Sequence, residues 1–169
     1  MVFAKTSKAA ARLSEQLREG NFTKKYLAIT HNAPPERSAT LTHYLLKNER
    51  LNKVEIVGQA VTNAKRAQLT YTTKTITNNL SLLEITLQTG RSHQIRVQLS
   101  YIGAPIVGDV KYGPHKPTSS LALWAHELSF THPTSSDRLK FIVNPPETPP
   151  WDQFDFNRQS HKTRADSPS

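Results

Sequence analysis

The feature that most constrains the fold is the run Leu80–Gln88, in which apolar and polar residues alternate until Thr89 and Gly90 interrupt them. Alternation with a period of two predicts a half-buried β-strand. Glycine adopts the backbone angles of a sharp turn at little cost, so we expect the chain to turn here. Apolar residues then recur at helical spacing as far as Gly103, with Ser92 as the candidate N-cap. The sequence therefore predicts a strand, a tight turn and a short helix in succession.

Three side chains of this segment carry or can acquire a positive charge. Arg91 lies at the predicted turn, whereas His93 and Arg96 are three residues apart and are expected on one face of the helix. A helix N-terminus carries a partial positive charge, so this group of side chains predicts a site that faces an anion. A solvated basic turn without a ligand explains the pattern equally well, and the residues alone leave both interpretations open.

A second basic segment lies near the start of the chain, where Lys24 and Lys25 directly precede Tyr26 in a predicted strand. An aromatic ring beside two lysines suits a nucleic-acid base that stacks on the ring while its phosphate contacts an ammonium group. Packing within the sheet is the commoner reason for a tyrosine in a strand. The residues alone do not decide between the two.

The charge of the whole chain favours a polyanionic ligand. Its 22 Lys and Arg residues against 13 Asp and Glu give a net charge of +9, and such a surplus in one small domain is typical of nucleic-acid binding. The chain has no cysteine, which excludes disulfides and cysteine-based metal or nucleophile chemistry. No apolar run reaches membrane-spanning length, and the first residues lack a signal-peptide core. We therefore predict a cytoplasmic protein.

Alternating runs elsewhere predict a sheet built from hairpins. An alanine-rich helix between Thr6 and Gly20 comes first. Segments predicted as strands are 21–32, 54–57, 67–71, 121–130 and 139–143, the fourth with a bulge after its first half. The segment 41–51 fits either a short helix or a polar strand, and Asn78-Asn79 predicts a hairpin turn.

Both ends of the chain carry predictions of their own. Met1–Ala4 has the composition of the end of a buried strand, so we expect further sequence upstream. Late aromatic residues are expected to pack against the body of the domain: Trp151, Phe154 and Phe156. From residue 157 onward the chain has almost no apolar residues, which predicts a disordered tail over 157–169. Residues 1–156 then form one α+β domain, with a mostly antiparallel mixed sheet and flanking helices.

Four segments together resemble one family, the RluA-type RNA pseudouridine synthases. In order they are Lys24–Ala28, Leu87–Val97, Ile102–Gly113 and Leu121–Pro133, and the likeness extends to about Pro146. The resemblance implies a partial catalytic domain of an isomerase that converts uridine to pseudouridine in ribosomal or transfer RNA. It also implies a flipped-out target base and chemistry without a cofactor. The scattered histidines, without a metal-binding spacing, independently predict that no metal ion is needed.

The resemblance assigns roles to the basic and aromatic residues described above. Tyr26 corresponds to the tyrosine that stacks on the uracil and is implicated in removing a proton from it. Arg96 corresponds to the arginine that pairs with the catalytic carboxylate and keeps it ionised. Candidates for substrate and phosphate contacts are Arg91, His93, Lys24 and Lys25.

One departure from the family bears on activity. The family's nucleophilic aspartate stands in a His-Arg-x-Asp segment placed before the strand that is expected at Met1, and no aspartate here has a matching context. Asp109 belongs to a Gly-Asp loop. We therefore expect that Arg96 lacks a carboxylate partner and that the chain as written is inactive. The alternative is a non-catalytic RNA-binding protein derived from such an enzyme; a DNA-binding or ribosome-associated protein has only the charge in its favour.

Overall fold

The computed structural model describes residues 2–114 and 120–156. Its elements in chain order are α1 (Ser7–Arg18), β1 (Thr23–Thr30), β2 (Ser38–Asn48), β3 (Lys53–Val57), β4 (Lys65–Thr77), β5 (Leu80–Leu87), α2 (Gln94–Tyr101), β6 (Leu123–Thr131), β7 (Arg138–Ile142) and a 3₁₀ helix (Trp151–Gln153). The strands form one sheet in the order β3-β2-β4-β5-β1-β6-β7. Every pairing among these described strands is antiparallel. The predicted α+β class is confirmed.

Hairpins build most of this sheet, as the sequence predicts. Asn78 and Asn79 both have positive φ, 49° and 63°, which is the conformation of the tight turn that best fits the twist of two antiparallel strands. Segment 41–51, which fitted a helix or a strand, lies mostly in β2. The strand conformation is favoured because β2 pairs with β4 on one side and with β3 on the other. Its backbone N–H and C=O groups therefore find hydrogen-bond partners within the sheet.

The main core lies on the face of the sheet that carries Tyr26, Ile85 and Tyr71 at adjacent register positions of β1, β5 and β4. Ile95 and Leu99 of α2 belong to the same buried cluster. On the neighbouring strand β2, the Gln98 side chain donates to the Leu41 carbonyl (3.4 Å) and shares a hydrogen bond with His43 (2.9 Å). Helix α2 therefore packs on this face of the sheet, and the Gln98 side chain attaches it to strand β2.

Helix α1 begins and ends where the sequence predicts. The Thr6 hydroxyl accepts the N–H of Ala9 (3.2 Å), and Gly20 follows the helix with φ of 78°. The helix is attached to the end of β6 by polar contacts, because the Gln16 side chain both donates to the carbonyl and accepts the N–H of Thr131. None of its residues is buried, and Leu17 stays half exposed.

The two ends of the chain gave different outcomes. The buried strand expected at the first residues does not form: residues 2–4 have no regular structure, and Phe3 is 81% exposed. The upstream sequence expected there stays a prediction. Packing at the other end is confirmed, since Trp151 and Phe154 join the core cluster and the Phe156 ring lies 6.2 Å from that of Trp151. The tail predicted over 157–169 lies outside the described residues.

Bulge and membrane predictions can also be compared with the structure. The pairing of β1 with β6 shifts register between Lys25 and Tyr26, which confirms a bulge in this pair of strands.

Within the described ranges, neither α-helix has the length and the apolar character needed to cross a bilayer.

We predict that Trp151→Ala lowers the free energy of unfolding by about 3–5 kcal/mol, because it leaves a cavity in the core where the indole now packs. Urea denaturation of the 169-residue chain measures the change. Phe3→Ala removes an exposed ring and is the control, with an expected change below about 0.5 kcal/mol. Equal unfolding midpoints for the two variants would show that the C-terminal aromatic residues do not hold the domain together.

Candidate active site

The turn after β5 is fixed to strand β4 by two side chains, Thr89 and Gln94. Both contact the backbone of Gln68: Thr89 Oγ1 accepts its N–H (2.8 Å), and Gln94 Nε2 donates to its carbonyl (3.0 Å). The Thr89 hydroxyl also donates to Gln94 Oε1 (2.8 Å), which accepts the N–H of Arg91 as well (3.0 Å). Because Gln94 is buried and both its oxygen and its nitrogen are engaged, this network sets the path of the turn.

The predicted N-cap at Ser92 is wrong. His93 occupies the cap position of α2 with a left-handed backbone (φ 51°) and makes no side-chain capping bond. Gln94 instead binds the turn from inside the helix, so the turn runs one residue longer than the N-cap pattern predicts.

Lys24 and Tyr26 lie on one side of β1, beside this turn, because alternate residues of a strand point the same way. A Cβ atom at Gly90 would lie 3.8 Å from Lys24 Nζ, which places the ammonium group against the turn. Burial lowers the pKa of Lys24. Tyr26 is half-buried and packs against the core cluster. The structure therefore brings these two predicted residues and the turn together.

A groove of about 750 Å³ runs past Tyr26 between α1 and the strands β1, β6 and β7. Stacked rings form part of its wall: Phe22 and Phe130 are parallel within 8° with centroids 5.1 Å apart, and Phe141 continues the stack at 6.0 Å from Phe130. Lys24 also lines this groove. Apolar rings beside a cation suit a flat ligand that carries a negative charge.

Lys25 also lines the groove but has a partner within the chain. Its Nζ lies 3.7 Å from the Glu127 carboxylate, which a second lysine, Lys140, approaches to 3.3 Å. Glu127 is the one carboxylate among the described residues that line the groove. Since Lys25 shares this acidic partner and Lys24 has no ion pair among the described residues, Lys24 is the better placed of the two for a phosphate.

Arg96 is bound by a carboxylate of this same chain. Its Nε and Nη2 donate to the two oxygens of Asp109 at 2.8 and 2.6 Å, and the Asp109 side chain has no exposed area. Oδ1 of Asp109 also accepts the backbone N–H groups of Lys111 (2.9 Å) and Tyr112 (3.0 Å). The expectation that Arg96 lacks a carboxylate partner is therefore wrong, because the loop after α2 folds back onto the helix.

Both members of this pair are held in their charged forms. Burial opposes ionisation of Asp109, but the hydrogen bond from Arg96 and those from the two backbone N–H groups outweigh it and lower the pKa of the carboxyl. The hydrogen bond to Asp109 raises the pKa of Arg96. A carboxylate with both oxygens engaged and no exposed area anchors a loop; it is not free to attack a substrate.

Tyr112 connects helix α2 to strand β3. Its hydroxyl accepts the N–H of Val54 (2.8 Å) and lies 2.9 Å from His93 Nδ1, and the Arg96 guanidinium lies 5.2 Å from the centre of its ring. Because the hydroxyl oxygen accepts from Val54, its proton is available to Nδ1, which favours the imidazole with its own proton on Nε2. Burial, followed by the charge of Arg96, lowers the pKa of His93 and favours that neutral form.

Sequence reasoning named Tyr26, Lys24 and Arg96, which stay predictions, but gave no role to the buried polar residues that hold the turn and the loop. Gln94, Asp109 and Tyr112 make contacts between segments that are far apart in sequence, and periodicity carries no signal for such contacts. One local signal was present, in the glycine that closes the loop. A Cβ atom at Gly113 would collide with the Asp109 carbonyl, so the loop accepts no larger residue there.

We predict that Arg96→Ala lowers the free energy of unfolding by about 3–5 kcal/mol, because it leaves the Asp109 carboxylate buried and unpaired. Urea denaturation at pH 7 measures the change. Arg96→Lys supplies the charge without the two parallel hydrogen bonds, so its free energy of unfolding should lie between those of the wild type and Arg96→Ala. The double variant Arg96→Met with Asp109→Asn removes both charges and should be more stable than Arg96→Ala. Wild-type stability in Arg96→Ala would show that the pair does not hold the loop.

The same pair predicts how stability depends on acid. The pKa of Asp109 is lowered in the folded protein, so its contribution is fully present above the pKa of an unfolded aspartate, about 3.9, and is lost as the pH falls through the lower folded value. The wild-type unfolding free energy should therefore fall more steeply below about pH 4 than that of Asp109→Asn. Parallel curves for the two proteins in this range would contradict the assignment.

Comparison with known proteins identifies the family. A family model described as RNA pseudouridylate synthase matches residues 1–101. YlyB of Bacillus subtilis (strain 168), whose name is uncharacterized RNA pseudouridine synthase, is 32% identical over 149 residues, 87% of this chain and 48% of that protein. Ribosomal large subunit pseudouridine synthase D of Zymomonas mobilis is 33% identical over 157 residues, 87% of this chain and 49% of its own. The chain thus spans about half the length of the curated relatives that it matches.

Solved structures agree with this likeness. The protein named Human RNA Pseudouridylate Synthase Domain Containing 1 superposes with a TM-score of 0.72 and 27% identity, over 86% of this chain and 64% of that one. Human RNA Pseudouridylate Synthase Domain Containing 4 has the same TM-score at 24% identity, which is a likeness of fold. Because the family model matches more than half of the chain, this protein belongs to the RNA pseudouridylate synthase family.

Proposed function

We propose that the groove at Tyr26 binds a flipped-out uridine of ribosomal or transfer RNA, as part of an enzyme that converts uridine to pseudouridine. The observation that carries the proposal is the placement of Tyr26 and Lys24 side by side in an aromatic groove, with the Lys24 ammonium against the turn at Gly90. Two relatives named as ribosomal large subunit pseudouridine synthases support ribosomal RNA as the first substrate to test. The cytoplasmic location expected from the sequence stays a prediction.

The proposed reaction is an isomerisation that needs no external reagent. The bond between N1 of uracil and C1′ of ribose breaks, a bond between C5 and C1′ forms, C5 gives up its proton, and N1 takes up a proton from solvent. The base must leave its stack before the sugar carbon and C5 become accessible. In this proposal the uracil stacks on the Tyr26 ring, the Tyr26 hydroxyl accepts the C5 proton as it gives its own proton to solvent, and Lys24 contacts the phosphate.

Such a reaction also requires an attacking carboxylate, and the described residues offer no free one at the groove. Asp109 is engaged by Arg96, and Glu127 lies between two lysines. We therefore propose that the described residues bind the RNA and that isomerisation needs an aspartate from outside them. In this view Arg96 is a positioning residue, which acts through Asp109 and Tyr112.

The test has a binding step and a chemical step. In the first, a labelled ribosomal RNA hairpin is titrated with the 169-residue chain, and Lys24→Ala should weaken binding by about 1 kcal/mol through the loss of one phosphate contact. Lys74→Ala removes an exposed lysine near the end of β4 that does not line the groove, and it is the matched control. We expect it to leave the affinity for RNA unchanged.

In the second step, tritium release from RNA that carries [5-³H]uridine is measured with the chain joined to a segment that bears the family's aspartate motif. Tyr26→Phe should abolish release while the affinity for RNA stays close to wild type. Undiminished release from Tyr26→Phe would refute its role in proton removal. Binding without any release by the wild-type fusion would favour the non-catalytic RNA-binding alternative.

A further inference from the structure

A second concave site lies across the Gly90–Ser92 turn from the Tyr26 groove. We call it the basic pocket; it measures about 420 Å³ and is lined by the end of β2, the start of β4 and the turn itself. Leu45 and Val54 form part of its apolar floor, and three cations line it: Lys47, Lys65 and Arg91. No role at the Tyr26 groove accounts for the two lysines.

Strand geometry explains why these cations converge. Lys65 of β4 lies directly opposite Leu45 of β2, and Lys47 is two residues further along β2. The side chains of Leu45, Lys47 and Lys65 therefore point to the same side of the sheet. On that side the Arg91 Nε donates to the Arg66 carbonyl (3.1 Å), which holds the guanidinium beside β4. The convergence is therefore built into the register of the sheet and the path of the turn.

The charge of the basic pocket is poorly neutralised within the chain. Lys47 forms an ion pair with Glu49 (2.6 Å), which also lines the pocket. The Glu49 side chain is 77% exposed, and pairs with so exposed a partner contribute little and separate easily. Among the residues that the structure describes, Lys65 and Arg91 have no ion-pair partner. A site with surplus positive charge, in a concave surface, suits a phosphate group.

The position of the pocket favours the RNA chain as the source of that phosphate. Gly90 lies between the two sites: one neighbour is the Lys24 ammonium of the Tyr26 groove, and the next residue is Arg91 of the basic pocket. A single turn thus separates a cation beside the proposed uridine from a cluster of three more. A polynucleotide that places a uridine in the groove can cross the turn and present a neighbouring phosphate to the pocket.

We propose that Lys47 and Lys65 of the basic pocket bind the phosphate of a nucleotide that flanks the target uridine. This inference rests on the proposed function, because it assumes that the uridine occupies the Tyr26 groove. Phosphate contacts fix the register of a nucleic acid without reading its sequence, and holding the backbone beyond the flipped nucleotide keeps that nucleotide out of the stack. Lys24 and the basic pocket then hold the backbone at two points, one on each side of the turn.

The test compares two double variants with the same loss of charge. Lys47→Ala with Lys65→Ala should weaken binding of a single-stranded uridine RNA about tenfold and reduce the slope of log K against log salt by about one. Lys8→Ala with Lys74→Ala changes exposed lysines of α1 and β4 that do not line the basic pocket, and should leave both quantities near wild type. Equal losses in the two double variants mean that only net charge matters, which overturns the inference.

A chemical change in the RNA makes the test independent of protein folding. A neutral methylphosphonate is placed at each linkage in turn near the uridine, and wild-type protein should lose affinity at a flanking linkage. The Lys47 and Lys65 double variant should lose nothing further at that linkage, because the contact is already gone. Additive losses there would overturn the inference.

The two proposals fail in different ways. If Lys24→Ala weakens binding but neither the lysine pair nor any flanking methylphosphonate has an effect, the basic pocket is wrong and the Tyr26 groove stands. If Lys24→Ala binds RNA as tightly as the wild-type chain, and the wild-type chain has no preference for RNA that contains uridine, both the groove and the pocket are wrong.

Discussion

The pair between Arg96 and Asp109 determines much of the structure around the candidate site. A carboxylate with no exposed area is costly to bury, and here two parallel hydrogen bonds from one guanidinium and two more from the backbone offset that cost. Because Arg96 lies on helix α2 and Asp109 in the loop behind it, the pair ties the loop to the helix. The loop carries Tyr112, whose hydroxyl then reaches both β3 and His93.

Gln94 does for the turn what Asp109 does for the loop. Each is a buried polar side chain that bonds both to its own segment and to another one, and each fixes irregular backbone that apolar packing alone cannot orient. Gln94 holds the turn at the distance from β4 that lets Gly90 meet Lys24. Both polar networks start from the first turn of the short helix α2, at Gln94 and at Arg96, and together they place the turn and the loop relative to the sheet.

Regular structure could be predicted from the sequence, because periodicity and turn residues are local. The pattern of Leu80–Gln88 and the Asn78-Asn79 turn gave the central hairpin correctly. The expectation that Arg96 has no carboxylate partner failed for a physical reason. Asp109 lies 13 residues away, and only the folded loop brings its two oxygens to Nε and Nη2 of Arg96. Segment 41–51 was ambiguous for a related reason, since its pairing with β3 and β4 decides its conformation.

A groove that binds a single flipped base gains little from contacts to the base alone, because removing the base from its stack costs several kcal/mol. Part of that cost has to be offset by contacts to the backbone, which hold the strand on either side of the distortion. The arrangement of cations around Gly90 fits this requirement better than a uniformly basic surface does. Lys25 is neutralised by Glu127 although it is adjacent in sequence to Lys24, whereas Lys65, remote in sequence, remains unpaired among the described residues. Where the positive charge is left free is therefore decided by the fold, and it is left free on both sides of the turn.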